Sequence, residues 1–526
     1  MRKIYFILII LVLGVVGMAY LYFSNLNKES SATDNSLNVI SANAPIIFAF
    51  ENDKSFYEIL SKQDITDDIL GSKKSGLLKI LRENILNNSH LNNFIESVKG
   101  EKTIIGFLAG KNNEVDFILA TQTKTKNFDR NVLNQINATV KPEGNLYQVK
   151  FGDTAECYVA VVNQSVFLSN TKDALVKINK TKTPKNDFAE YIKQNNRINK
   201  NTLANVYINY NQLPSLLKNI LNSTLTGELS IFNKQNAYAS LSYNFGSDKL
   251  LLNGYTEIKD EQSYFKLFVE QKEQKINIDQ IFPEQTANYT FFAIDDYEKW
   301  NKELKNLQKE KKEDAKIEKQ RQSIDEKYRI DINQTFPLYF NKQLAVLQLK
   351  SGEKLGVIEI KNGDKLGQLL LDLSSDYATD IRIFKETNLL YNFFGEPFKK
   401  FERPFYTIID NHFVVANYAS TIQVFLNSYK NDHLLISTDG YTHFKDQTSS
   451  SATIAFYINH KNSNDIFGRN LKAPYYKQYK SGESVMGFKD YNAFGYQLSA
   501  DNGKFMSNIL LLKNQTKISL DSLKNN

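Results

Sequence analysis

One cysteine, Cys157, serves the whole chain. No intramolecular disulfide can form, so a fold of this size has to be held together by its cores. Cys157 lies in the alternating run ECYVAVV, the pattern of a strand, and reads as a small buried hydrophobe. A catalytic thiolate would need a base beside it, and the N-terminal half offers only His90.

Histidine is scarce as well. His90, His412, His433, His443 and His460 are the full set, and none falls in H-E-x-x-H or another zinc spacing. The pair His433/His443 is set aside for that reason, and no metal ligand is assigned. No phosphate loop is present: Gly71 to Gly76 have the glycine spacing, but Leu77 and Leu78 stand where Lys and Ser/Thr would hold phosphate and magnesium. The stretch Gly482-Glu483-Ser484-Val485-Met486-Gly487 lacks the spacing of a nucleophile elbow. The acid pairs Asp67-Asp68 and Asp295-Asp296 read as turns and caps. A glycan hydrolase needs two placed carboxylates, and spacing singles out no pair among 58 acidic residues. Neither sign of charge dominates. The net charge of +7 is spread along the chain, with Lys among Glu and Asp, so nucleic-acid binding is not expected. No catalytic residue and no cofactor is assigned.

What is present begins with one long apolar run. Arg2 and Lys3 precede the uncharged segment Ile4–Phe23, with Tyr5, Tyr20 and Tyr22 near its ends. Twenty apolar residues rising about 1.5 Å each cross a hydrocarbon core of about 30 Å. The run is longer than a signal-peptide h-region and exits through Met18-Ala19-Tyr20-Leu21-Tyr22-Phe23, a poor cleavage site. It reads as an uncleaved signal anchor. The basic residues before it keep the N-terminus cytoplasmic and place the rest on the exported side, in the bacterial periplasm. Residues 24–43 are Ser/Asn-rich and are expected to form a flexible tether.

Beyond the tether the chain is rich in Phe (35) and Tyr (29), as sheet-rich domains are; an AT-rich genome gives the same bias. The same folding unit is expected twice. Segments from Pro45, Ala204, Asn288 and Ala452 each join a short apolar strand to an Asx-capped helical pattern, at Asn52/Asp53, Asn209/Asn211, Asp295/Asp296 and Asn459. Tyr207-Ile208-Asn209 returns as Tyr457-Ile458-Asn459, 250 residues on. The strand–turn–strand Tyr158–Ser169 is matched by Phe405–Ala416, and each runs into an amphipathic helix. Hairpins at 103–123 and 344–360, and at 238–258 and 494–513, complete the series. Each unit reads β-α-ββ-α-βββ-α-β-α-ββ. The expected fold is α+β: two tandem units of mostly antiparallel sheet with helices on one face.

The expected division is an anchor at 1–23, a tether at 24–43, unit one at 44–259, a connector with a helix at 260–285, unit two at 286–516 and a tail at 517–526. Unit two alone carries a charged insertion at 300–330. Tyr297, Trp300, Leu304 and Leu307 keep helical spacing there, and Lys, Glu, Gln and Asp dominate the rest. A solvated helical extension is expected, with a partner-binding arm as the alternative.

With this anchor, these Asx-capped units and the strand–turn–strand–helix of Tyr158–Lys180 and Phe405–Lys430, the chain resembles uncharacterised membrane-anchored bacterial envelope proteins that carry a duplicated domain of unknown function. The resemblance spans most of the exported region. It implies no activity and transfers no site residue. The expected function is that of a non-catalytic envelope protein meeting another envelope component, protein or lipid. A lipid- or glycan-binding module working in a cleft between the units and an extracytoplasmic hydrolase are the alternatives.

Overall fold

The computed structural model describes residues 36–52, parts of 76–83, 89–124, 130–152, 155–162, 164–176, 186–195, 204–222, 235–246, 248–476 and 491–513. The expected span at 4–23 and the tail at 517–526 lie outside the described residues. Among those described, no helix is long and apolar enough to cross a membrane. The fold is α+β, antiparallel sheet with helices, and it divides into two compact units, residues 1–199 and 200–526.

The N-terminal unit holds β1 (Ile46–Glu51), β2 (Lys102–Ala109), β3 (Val115–Gln122), β4 (Thr139–Glu143), β5 (Leu146–Phe151), β6 (Ala155–Val162) and β7 (Ser165–Ser169). They pair antiparallel in the order β4-β5-β6-β7-β3-β2-β1. The hairpin β4–β5 adds one strand more than the sequence pattern predicted. Thr139–Glu143 is almost wholly exposed, so it has no apolar alternation to read. Its Lys141 and Pro142 are the residues that blunt a sheet edge.

The tether ends earlier than expected. Residues 36–41 are helical, and Leu37, Ile40 and Ser41 are 5%, 1% and 0% exposed. Ser36 Oγ donates to Ser165 Oγ at 2.9 Å, and Asn186 Nδ2 to Ser41 Oγ at 3.1 Å. Asn186 also caps the helix Asp187–Gln194 by accepting from Ala189 N. Leu37, Val39 and Ile40 supply too few apolar residues to stand out in a Ser/Asn-rich stretch. What receives them is an absent side chain: a Cβ at Gly106 would lie 2.4 Å from Ile40 Cγ2 and 2.7 Å from Ala44 Cβ. Gly106→Val is therefore expected to destabilise the N-terminal unit by about 1–3 kcal/mol, read as a lowered denaturant midpoint; an unchanged midpoint would show that 36–44 does not dock here.

The C-terminal unit holds β8 (Ala204–Asn209), β9 (Ala237–Phe245), β10 (Lys249–Ile258), β11 (Gln274–Lys275), β12 (Thr286–Ala293), β13 (Phe340–Leu349), β14 (Lys354–Ile360), β15 (Ser374–Ala378), β16 (Ile381–Phe384), β17 (Phe405–Ile409), β18 (His412–Ala416), β19 (Ser451–Ala452), β20 (Ile454–Asn459), β21 (Tyr491–Asp501) and β22 (Lys504–Lys513). Apart from the short ladder β11–β19, one antiparallel order runs β15-β16-β17-β18-β14-β13-β12-β20-β21-β22-β10-β9-β8. The sequence placed a boundary at 260–285. The ladder β10–β22, from Lys249 opposite Leu512 to Thr256 opposite Phe505, instead ties 204–258 to the C-terminal unit. At its centre Asn253 faces Asn508, and their side chains hydrogen-bond at 2.6 Å.

Helices cover both faces of this sheet, not the one expected. All eight residues of β12 are buried, which requires cover on each side. One face packs Phe291, Val357 and Val414 against Ile422, Phe425, Leu426 and Phe444, from the helices Ala419–Lys430 and Asp439–Asp446. The other carries Phe292 against Phe268 at 5.1 Å and Phe413 against Phe336 at 6.3 Å between ring centroids. The connector does not form one helix. It contributes the short 3-10 helices Tyr264–Phe268 and Ile278–Ile281, and Tyr264, Phe268 and Ile278 are buried.

The charged insertion is not a solvated extension. It forms the helices Tyr297–Glu310 and Asp314–Tyr328, joined by a turn at Lys312 with φ +60°. Tyr297, Trp300, Leu304 and Leu307 are buried from the first helix, and Ile317, Arg321 and Ile324 from the second. Nor is it a length found in unit two alone, since residues 52–101 join β1 to β2 and 294–339 join β12 to β13.

Candidate functional site

The residues singled out from sequence do not converge. Cys157 on β6 is fully buried. Burial first, then the Glu156 charge, pushes its thiol up to about 12, so it supplies no thiolate. His433 is exposed and His443 half-buried. Among the described residues no group of three His, Cys, Asp or Glu could hold a metal ion. Asp296 caps the helix Tyr297–Glu310 by accepting from Lys299 N at 3.0 Å. The backbone N–H groups of Asp295 and Asp296 both donate to Gln271 Oε1. Asp67-Asp68, most of Gly71–Leu78, and Gly482–Gly487 lie outside the described residues.

Two polar rows, one within each unit, are the strongest candidates. In the N-terminal unit Glu51 sits opposite Lys102, and Gln122 opposite Ser165. The β2–β3 ladder, with Thr103 opposite Thr121, makes Lys102 and Gln122 neighbours. Directly opposed residues share a face with Cβ atoms about 4.5–5.5 Å apart. Burial lowers the Lys102 amine to about 8, and among the described residues Gln122 Nε2 has no hydrogen-bond partner. In the C-terminal unit Gln343 sits opposite Ala293, and Glu359 opposite His412. Burial raises the Glu359 carboxyl, opposed by hydrogen bonds from Asn341 and the Lys342 backbone. Burial lowers the His412 imidazole, opposed by Asp410. Among the described residues, buried Glu359 Oε2 and His412 Nδ1 have no hydrogen-bond partner. Among the described residues, His412 is the one histidine brought directly opposite a perturbed acid. Glu359 and His412 are two shifted groups on directly opposed strand positions of one unit, and shifted groups brought together are how reactive sites are recognised. Sequence reasoning missed both rows because the members of each are far apart in the chain; within each unit only strand register joins them.

The shifts carry a pH dependence. A buried amine whose pKa falls disfavours its charged form, so its cost to stability is full below about pH 8 and fades towards pH 10.5. Lys102→Met should therefore stabilise the N-terminal unit near pH 7, by about 1–2 kcal/mol, and the gain should shrink as pH rises through that window. Denaturant unfolding at pH 7 and pH 10 measures it. A gain that does not change with pH would place Lys102 in solvent.

Two further polar clusters are structural. Asp279 is fully buried. Its Oδ2 accepts from Tyr441 Oη at 2.7 Å and Lys445 Nζ at 2.6 Å, and Tyr441 and Tyr289 share a hydrogen bond of 2.8 Å. Burial pushes both phenols well above the usual tyrosine range. Tyr496 bonds Tyr210 and Thr256, each at 2.9 Å, beside a cavity of about 10 Å³, room for about one water.

No protein-family model matches the chain, and no curated protein and no solved structure matches it either.

Proposed function

We propose that the protein is a non-catalytic, membrane-anchored envelope protein that presents two copies of one α+β fold on the exported side, where it meets another envelope component. The observation that carries the two-copy reading is the repeated pairing order. The series β4-β5-β6-β7-β3-β2-β1 corresponds strand for strand to β15-β16-β17-β18-β14-β13-β12, and β8-β9-β10 to β20-β21-β22. A short helical segment precedes both β1 and β12, at 36–41 and Ile278–Ile281. Tyr207 and Tyr457 are both buried at matching places on β8 and β20. Export is supported by the Arg2/Lys3 bias and the apolar run that follows. Alkaline phosphatase fused after Asn526 should be active in cells and a cytoplasmic reporter silent; the reverse pattern ends the localisation reading.

A second reading, an extracytoplasmic hydrolase, draws on Glu359 opposite His412, an acid and a base with pKa values moved by burial. Glu359→Gln and His412→Gln decide between the two. Under the non-catalytic reading both variants keep the protein's cellular role with unchanged folding, and loss of that role in the folded variants favours the hydrolase.

A further inference from the structure

We infer that residues 36–44 bind the membrane leash directly into the N-terminal unit, so that this unit is held close to the bilayer. This rests on the membrane-anchor reading above. The apolar run ends at Phe23, and the chain is docked at Ser36, 13 residues on. The intervening residues reach about 45 Å at full extension, whatever their conformation.

Docking is what makes this a limit. Had residues 24–43 all been free linker, the unit would hang from Ala44 on a leash over half as long again. Instead Ser36, Leu37, Ile40 and Ser41 are buried. Ile40 fills the space above Gly106, and Ser41 Oγ donates to Leu37 O at 2.6 Å. Asn186, about 150 residues on in the chain, holds the segment by donating to Asn38 O at 3.3 Å as well as to Ser41. The segment cannot pay out as leash without exposing this apolar surface and leaving those polar groups unpaired.

The test uses the full chain in liposomes with Cys157→Ala and Lys111→Cys, the latter site on the exposed turn after β2. A donor at position 111 and acceptor-labelled headgroups should give energy transfer. Inserting about 30 Gly/Ser residues between Ser31 and Ala32 should reduce it by more than half, because the linker's mean span grows with length. Transfer that is absent, or unmoved by the insertion, overturns the inference; the second outcome would mean that the unit binds headgroups by itself. A chain that fails to sediment with liposomes overturns the anchor reading itself, a separate and distinguishable failure.

Discussion

Arg321→Ala should cost about 3–5 kcal/mol of stability in the C-terminal unit. Arg321 is 1% exposed, yet among the described residues no carboxylate hydrogen-bonds to it. Its partners explain why it is tolerated. Nη2 donates to Asn392 O at 2.5 Å, Nη1 donates to Asn333 Oδ1 at 3.1 Å, and the guanidinium lies 4.4 Å from the centre of the Phe393 ring. Asn392 belongs to the helix Leu389–Phe394, which is buried along its whole length and ends at Gly395 with φ +72°. The last carbonyls of a helix have no partners within it. Here Arg321 and Gln308 serve Asn392 O, Tyr297 serves Phe393 O at 3.0 Å, and Tyr264 serves Phe394 O at 2.8 Å. A cation at that end also complements the helix dipole. Removing the guanidinium leaves Asn392 O to the long 3.5 Å bond from Gln308 Nε2 and opens a cavity over Phe393. Arg321→Met should cost less than Ala, because it refills the volume, while Arg321→Lys should still lose about 1–2 kcal/mol by giving up the planar fork. Equilibrium denaturation of the three variants checks the order. A near-neutral Ala variant would mean that the helical hairpin does not cap this helix.

This is where sequence and structure part most clearly. The spacing of Tyr297, Trp300, Leu304 and Leu307 was legible because it repeats every three or four residues. Nothing local marks Arg321 as interior, since its burial depends on carbonyls about 70 residues away in the chain. The same holds for Glu359 and His412, joined only by β14–β18 register, and for residues 36–43. Features with local chemistry were readable. Asp410-Asn411 and Asn502-Gly503 adopt the positive φ that two-residue hairpin turns demand. Asp296 caps its helix. Asn209 Oδ1 accepts from Asn211 N and Gln212 N ahead of Pro214, which sits in the first turn of Leu213–Ile220. Helices on both faces were not readable, because burial of both sides of β12 shows only as an apolar run that a one-sided strand near a hairpin can share.

Gly254→Val should be more damaging still, about 4 kcal/mol or more. Gly254 lies in the middle of β10, opposite Leu241 of β9 and Ser507 of β22. A Cβ there would come within 2.0 Å of Ser240 O and 2.9 Å of Leu241 Cα. Both are backbone atoms of a paired strand, so no side-chain rotation relieves the clash and the β9–β10 ladder has to part. Hydrogen exchange should then rise in 237–258 and in 504–513 together, because β10 links the two. Faster exchange confined to 237–245 would mean that β10 and β22 do not form one ladder.

The most direct test of the whole account joins its architecture to its location. With Cys157→Ala as background, Asn253→Cys and Asn508→Cys place two thiols at directly opposed positions of the β10–β22 ladder. Opposed antiparallel residues have Cα atoms about 4.5–5.5 Å apart, within the range a disulfide spans, and such bonds persist only in an oxidising compartment. In cells the pair should be recovered as an intramolecular disulfide, protected from maleimide until reduced. A folded protein with both thiols free to react would contradict either the pairing of these strands or the export of the chain.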